Sequence, residues 1–130
     1  MGTTNHELLN MAKELKLSHG TFDVVMKDEL ENRERKLHEY LIVNLQNSNQ
    51  SGSHWVAIIR DDNKKYHYSS FGDDPSLEVQ RYLGNNIITS TFKTQEFNET
   101  CCGPLALLVI FLYDRGVDFE DAVLFLVDAK

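Results

Sequence analysis

The chain has 130 residues, 42% hydrophobic and 25% charged, with 20 Asp and Glu against 13 Lys and Arg for a formal charge of −7. That length suits one domain around one core, and that composition excludes a disordered chain. The acidic balance argues against sequence-independent nucleic-acid binding, which needs clustered Lys and Arg to neutralise phosphates.

Leu8, Leu9, Ala12 and Leu15 recur at helical spacing and predict a helix over Asn5 to Lys16, with Asn5 as cap and Gly20 beyond its end. A second helical pattern runs from about Lys27 to Lys36. Within it the one basic cluster, Arg33 to Lys36, lies among Glu29, Glu31, Glu34 and Glu39 and reads as a solvated helix face. Glu39 to Asn44 reads as a strand, and Asn47 to Ser53 as a polar turn. Trp55 to Arg60, the acidic turn at Asp61, Asp62 and Asn63, and Lys65 to Ser70 form a predicted β-hairpin. His67, alternating with Tyr66 and Tyr68, is expected at the surface. Asn86 to Thr94 is a further β-rich stretch. Cys102 to Asp114 is apolar on every side, the pattern of a buried helix. Gly116 stops it, and Asp118 caps a last helix to about Val127. Helix-rich ends around a run of strands give an α+β class with the buried helix against the sheet. No repeat or long linker appears, so residues 1–130 are expected to form a single domain.

Two adjacent cysteines do not make a disulfide framework, and a reducing, intracellular setting is expected. No signal sequence is evident at the N-terminus. Met1-Gly2 does not suit myristoylation, since His6 stands where Ser or Thr is wanted. The longest apolar run, Leu105 to Leu112, is far too short to cross a bilayer.

The chemistry gathers at two places. Gln95 is followed seven residues later by Cys102, which opens the apolar helix together with Gly103 and Pro104. Pro fits a first helical turn, where its missing N–H has no partner anyway. A thiol there faces the positive end of the helix dipole, which favours thiolate, and the unpaired N–H groups suit a developing oxyanion. Far upstream, Gly52-Ser-His54-Trp55 places an imidazole at a loop-to-strand junction. His54 then reads as the general base and Gln95 as a carboxamide donor to the oxyanion. Against this stand ordinary roles: small core cysteines, a turn histidine and a loop glutamine. A zinc site built from Cys101, Cys102, His54 and His67 is disfavoured, because adjacent cysteines do not readily face one ion. No metal or other cofactor is expected.

These residues, together with Phe22 to Leu30, Leu41 to Leu45, Val56-Ala57 and Ser70-Phe71-Gly72, resemble the adenovirus-protease-like cysteine peptidases, including those of virophages and Maverick-type transposons, within the wider ubiquitin-like-modifier protease class. The resemblance runs from about Phe22 to Leu112. It implies a papain-like, ubiquitin-like-protease fold, with the central helix beginning at the nucleophile and packed on a mostly antiparallel sheet. It further implies Cys102 as nucleophile, His54 as base, Gln95 in the oxyanion hole, Trp55 lining the cleft with Gly52 and Gly103, and Cys101 as a bystander. Relatives cut precursor proteins after small residues, often Gly-Gly or Gly-x, during capsid maturation, which implies a protein or peptide substrate, and a host-cell or virion location. Some relatives use an activating peptide or nucleic acid, and nothing in this acidic chain points to either.

Two positions depart from that pattern. Ser69 occupies the place of the orienting acid, and Pro104-Leu105-Ala106 replaces the usual aromatic-then-Cys continuation. A hydroxyl can accept the imidazole Nδ1–H but cannot stabilise imidazolium as a carboxylate does; loss of an orienting acid costs on the order of 10⁴ in rate in a serine triad. Asp73 or Asp74 could substitute, whereas Asp61 and Asp62 lie in the distant hairpin turn. Three readings remain open: a thiol endopeptidase on viral or transposon precursors, a protease removing ubiquitin-like modifiers, and a binding module on a degenerate protease fold.

Overall fold

Tyr40-Leu41-Ile42-Val43 and Trp55-Val56-Ala57-Ile58-Ile59 are unbroken apolar runs, which a strand can hide only if both faces of its sheet are covered. The computed structural model, which describes residues 4–45, 54–90 and 102–128, satisfies that demand. Its elements are α1 (Asn5–Leu15), β1 (Thr21–Met26), a 3₁₀ segment (Lys27–Asn32), β2 (His38–Asn44), β3 (Trp55–Asp61), β4 (Lys64–Ser69), α2 (Leu77–Leu83), β5 (Ile88–Thr89), α3 (Cys102–Asp114) and α4 (Phe119–Asp128). The five strands lie in the order β1-β2-β3-β4-β5. The centre, β2 to β4, is antiparallel, and a parallel strand is added at each edge.

Strand alternation divides the core in two. Tyr40, Ile42, Trp55, Ala57, Ile59 and Tyr68 face α1, α3 and α4, where they meet Leu8, Ala106, Leu107, Ile110 and Val123. Leu41, Val43, Val56 and Ile58 face the 3₁₀ segment and α2, where they meet Leu30, Val79, Tyr82 and Leu83. No described position of α3 is exposed, in keeping with its uniformly apolar sequence. Among the described residues, no helix is long and apolar enough to cross a membrane.

Several expectations need correction. The cap of α1 is Thr4 rather than Asn5: Thr4 Oγ1 accepts from the Glu7 N–H, and Glu7 Oε1 accepts from the Thr4 N–H. The far end agrees with expectation: the helix closes at Lys16, in the left-handed region, ahead of Gly20. The helix expected over Lys27 to Lys36 is a 3₁₀ segment ending at Asn32, because Leu30 is its only buried residue and no apolar stripe holds a longer helix down. The basic cluster beyond it is largely exposed, as expected, but off any helix, and two of its members make structural bonds. Arg33 bonds Asp23 at 2.9 Å, and Arg35 donates to the Tyr82 and Arg81 carbonyls at the end of α2. Two elements had no counterpart in the sequence reading: β1, and α2 with its Ser76 cap and Gly84 at φ +82°.

His67 is also corrected. It is 1% exposed, and its Nδ1 lies 2.6 Å from Thr89 Oγ1, tying β4 to β5. Burial, with His54 adding in the same direction, pulls its pKa down to about 4. Between that value and the ordinary value of about 6.5, the unfolded chain binds a proton that the folded chain refuses. Stability therefore falls as pH drops through this window, by about 3 kcal/mol in all. Urea unfolding at pH 7 and pH 4.5 should reveal most of this loss, and His67→Gln should remove the greater part of it. An unchanged slope in that variant excludes His67 as the origin.

Candidate active site

Cys102 is the first residue of α3 and is 3% exposed. Its Sγ accepts a hydrogen bond from the Trp55 backbone N–H at 3.4 Å. Trp55 opens β3, and the Leu45 N–H donates to the His54 carbonyl at 2.9 Å, carrying the β2–β3 pairing one residue further. The thiol at the helix start and the imidazole before the strand are thus brought to one pole of the sheet, although they stand 48 positions apart in the sequence.

Two contacts hold His54. Its ring stacks on Phe71 with centroids 4.7 Å apart and planes 21° from parallel. Its Nε2 lies 3.3 Å from Ser69 Oγ. Its Nδ1 is buried and has no hydrogen-bond partner among the described residues. The sequence reading placed Ser69 at Nδ1, and the structure places it at Nε2 instead. Ser69 is fully buried, and its Oγ also accepts from the Phe71 N–H at 3.3 Å. The Gly72 N–H closes this turn onto the Ser69 carbonyl at 2.9 Å, with Gly72 at φ +76°, where a side chain would be strained. Burial lowers the pKa of His54, and the Asp73 carboxylate opposes that shift.

The remaining candidates fall out differently. Gly103 is needed for close approach, but by the protein itself: a Cβ there would sit 3.2 Å from Trp55 Cδ1 and 3.3 Å from Leu8 Cδ2. Trp55 is 3% exposed and packs in the apolar layer beside the thiol, so it does not form an open cleft wall. Gly52, Gln95 and Cys101 lie outside the described residues. Asp61 is engaged at the other end of β3 with His38 and Tyr113. Phe71 and Asp73 were given no firm role from sequence. The Phe-Gly pair after a strand end was the available signal, since it marks a turn able to fold an aromatic ring back over that strand.

A polar cavity of about 810 Å³ lies at the opposite pole, between His38 and Tyr40 of β2, Asp61 of β3 and the end of α3. The carboxylate on its floor, Asp114, is already satisfied by the Ser18 and His19 N–H groups and the Tyr40 hydroxyl. Among the described residues, no three His, Cys, Asp or Glu side chains gather in a way that could hold a metal.

No family model matches the chain, and no curated protein matches it. Two solved structures of the ASFV pS273R protease share its fold. One aligns with a TM-score of 0.53 at 21% identity, covering 69% of this chain and 39% of that one. The other aligns with a TM-score of 0.56 at 15% identity, covering 79% of this chain and 54% of that one. The chain therefore shares an α+β fold with that protease, consistent with the papain-like, ubiquitin-like-protease fold expected, and it spans about half or less of the length of the proteases it matches.

Removing Ser69 Oγ strands both the His54 ring nitrogen and the Phe71 N–H. Ser69→Ala should lower unfolding free energy by about 1–2 kcal/mol in denaturant titration. Wild-type stability in that variant would show that the hydroxyl holds neither group.

Proposed function

We propose that this chain is a thiol endopeptidase that cuts viral or transposon-encoded precursor proteins at small-residue sites of the Gly-Gly or Gly-x kind. The observation carrying this reading is the arrangement at one pole of the sheet. A thiol at the first position of a buried helix accepts from the backbone of the residue that follows a half-buried imidazole. That imidazole is fixed at Nε2 and, among the described residues, unpartnered at Nδ1. The shared fold with a viral protease and the resemblance of the motifs to adenovirus-protease-like peptidases support the same reading.

In the proposed reaction, His54 Nδ1 takes the Cys102 proton and Sγ attacks the scissile carbonyl carbon. The tetrahedral oxyanion is met by the Cys102 backbone N–H at the start of α3, joined by the Gln95 carboxamide. His54 then gives its proton to the leaving amine as the C–N bond breaks, leaving a thioester on Cys102. Water, deprotonated by His54, attacks the thioester and releases the carboxylate product and the thiol. Small residues before the cut suit a site whose floor is closed by Trp55 packed on Gly103.

Cys102→Ala should abolish cleavage of a Gly-Gly-containing precursor peptide, a loss of at least about 10³-fold. Iodoacetamide at neutral pH should label Cys102 faster than Cys101. Because Cys102 is buried, fast labelling reports activation rather than exposure. Equal labelling, together with cleavage that survives Cys102→Ala, rejects the proposal. Preference for an isopeptide-linked modifier over a linear precursor would instead favour deconjugation.

A further inference from the structure

Ser69 can select one edge of the His54 ring, but it cannot hold the plane of that ring. Its contact with Nε2 spans 3.3 Å, and the same oxygen also accepts from the Phe71 N–H at 3.3 Å. Both are long for hydrogen bonds, and they share one hydroxyl. The last torsion of a histidine side chain is broad and roughly two-fold, so the backbone does not fix the plane either. The other ring nitrogen, Nδ1, is buried and has no hydrogen-bond partner among the described residues. An imidazole tied at one atom by a long contact can swing about that tie.

Phe71 blocks the swing. Its ring lies 4.7 Å from the imidazole, centroid to centroid, with the planes 21° from parallel. That is the near-parallel stacking geometry that aromatic pairs favour. An imidazole turning out of this plane must enter the space that the phenyl ring fills. Phe71 is held in turn by its N–H on Ser69 Oγ, and the Gly72 N–H closes onto the Ser69 carbonyl at 2.9 Å, with Gly72 at φ +76°. Ser69, fully buried at the end of β4, therefore anchors both halves of a clamp. We propose that Phe71 is a positioning residue for His54: its ring fixes the imidazole plane while Ser69 fixes the edge, the task an orienting acid performs with one charged hydrogen bond. This rests on the thiol-protease reading for its catalytic meaning but not for its geometry. Stacking alone does not choose between the two ring flips, which are equally parallel to Phe71 and place either Nε2 or Cε1 on the serine oxygen. Only the first gains a hydrogen bond, and it leaves Nδ1 as the nitrogen free to exchange a proton with the thiol. Because the phenyl ring carries no charge, it orients the base without supplying the charge of an acid.

The test is NMR carbon relaxation of the His54 ring in the intact chain, comparing wild type, Phe71→Leu and Phe71→Tyr, with Phe71→Met replacing the leucine variant if that one does not fold. The ring order parameter should be about 0.8 in wild type, fall below about 0.6 in Phe71→Leu, and return in Phe71→Tyr, which keeps the flat ring. On a precursor peptide, Phe71→Leu should lower kcat by about 10- to 100-fold with KM unchanged, and Phe71→Tyr should recover most of the loss. An equally rigid His54 ring in Phe71→Leu overturns the inference, as does equal loosening in Phe71→Tyr. A raised KM with kcat unchanged also overturns it, since Phe71 would then serve substrate binding. The relaxation reads His54 whether or not Cys102 cleaves anything. A ring that loosens in a chain that cleaves no precursor therefore rejects only the peptidase reading, and a ring that stays rigid in a cleaving chain rejects only this one.

Discussion

A helix with no polar face must be enclosed, and enclosing α3 organises the rest of this molecule. The sheet covers one side of it through Trp55, Ala57 and Ile59, while α1 and α4 close the others with Leu8, Ala122 and Val123. Burying such side chains is worth about 1.5–3 kcal/mol each, so the helix has one stable seat and little freedom to slide. Its first residue is then fixed relative to the first residue of β3. The sulfur contact with the Trp55 N–H follows from that seat and needs no support from a flexible loop.

The same helix places a polar group at each end, and the two ends solve opposite problems. At the start, the positive end of the dipole lies beside the Cys102 thiol. At the other end Asp114 adds negative charge where the dipole is already negative, in a position that is 2% exposed. Burial works against its ionised form, yet three donors outweigh it and hold the carboxyl below its ordinary range: the N–H groups of Ser18 and His19, and the Tyr40 hydroxyl. Those donors come from the α1–β1 connection and from β2. Asp114 thus locks the outer elements to the core helix at the pole away from the thiol.

What was legible in the sequence followed from how strongly burial dictates pattern. The uniformly apolar stretch from Cys102 to Asp114 and the β-branched runs of β2 and β3 admitted one reading each, and the structure agrees with them. The hairpin was marked by its acidic turn, and Asp62 there adopts φ +57°. Weakly patterned pieces were lost. β1 was missed because, as a parallel edge strand, it buries only Val24 and Val25. α2 has seven residues and depends on packing more than on propensity, although Ser76 and Gly84 bracket it. His67 was misplaced because alternation in β4 was read as inside and outside, whereas both faces of this sheet are covered. Cys102 and His54 could be named from their sequence contexts, and Ser69 only from the family resemblance. That Ser69 meets Nε2 rather than Nδ1 depends on how the turn at Gly72 folds, and no local pattern encodes it.

The electrostatics of His54 bear on how such a site would run. Burial favours the neutral ring, and the Asp73 carboxylate opposes it. A carboxylate at position 69 would lock the proton on Nε2 and leave Nδ1 basic. The serine hydroxyl can accept a proton from Nε2 or donate one to it, so both tautomers are compatible with the contact. Only the Nε2–H form leaves Nδ1 ready to take a proton from the thiol. A standing thiolate–imidazolium pair is thus weakened on two counts, by desolvation and by the divided tautomer population. Chemistry at this site would then lean on proton transfer at the moment of attack, assisted by the helix start at Cys102. In the proposed reaction, the hydroxyl at position 69 would make the imidazole a conditional base, its competence set by which ring nitrogen carries the proton.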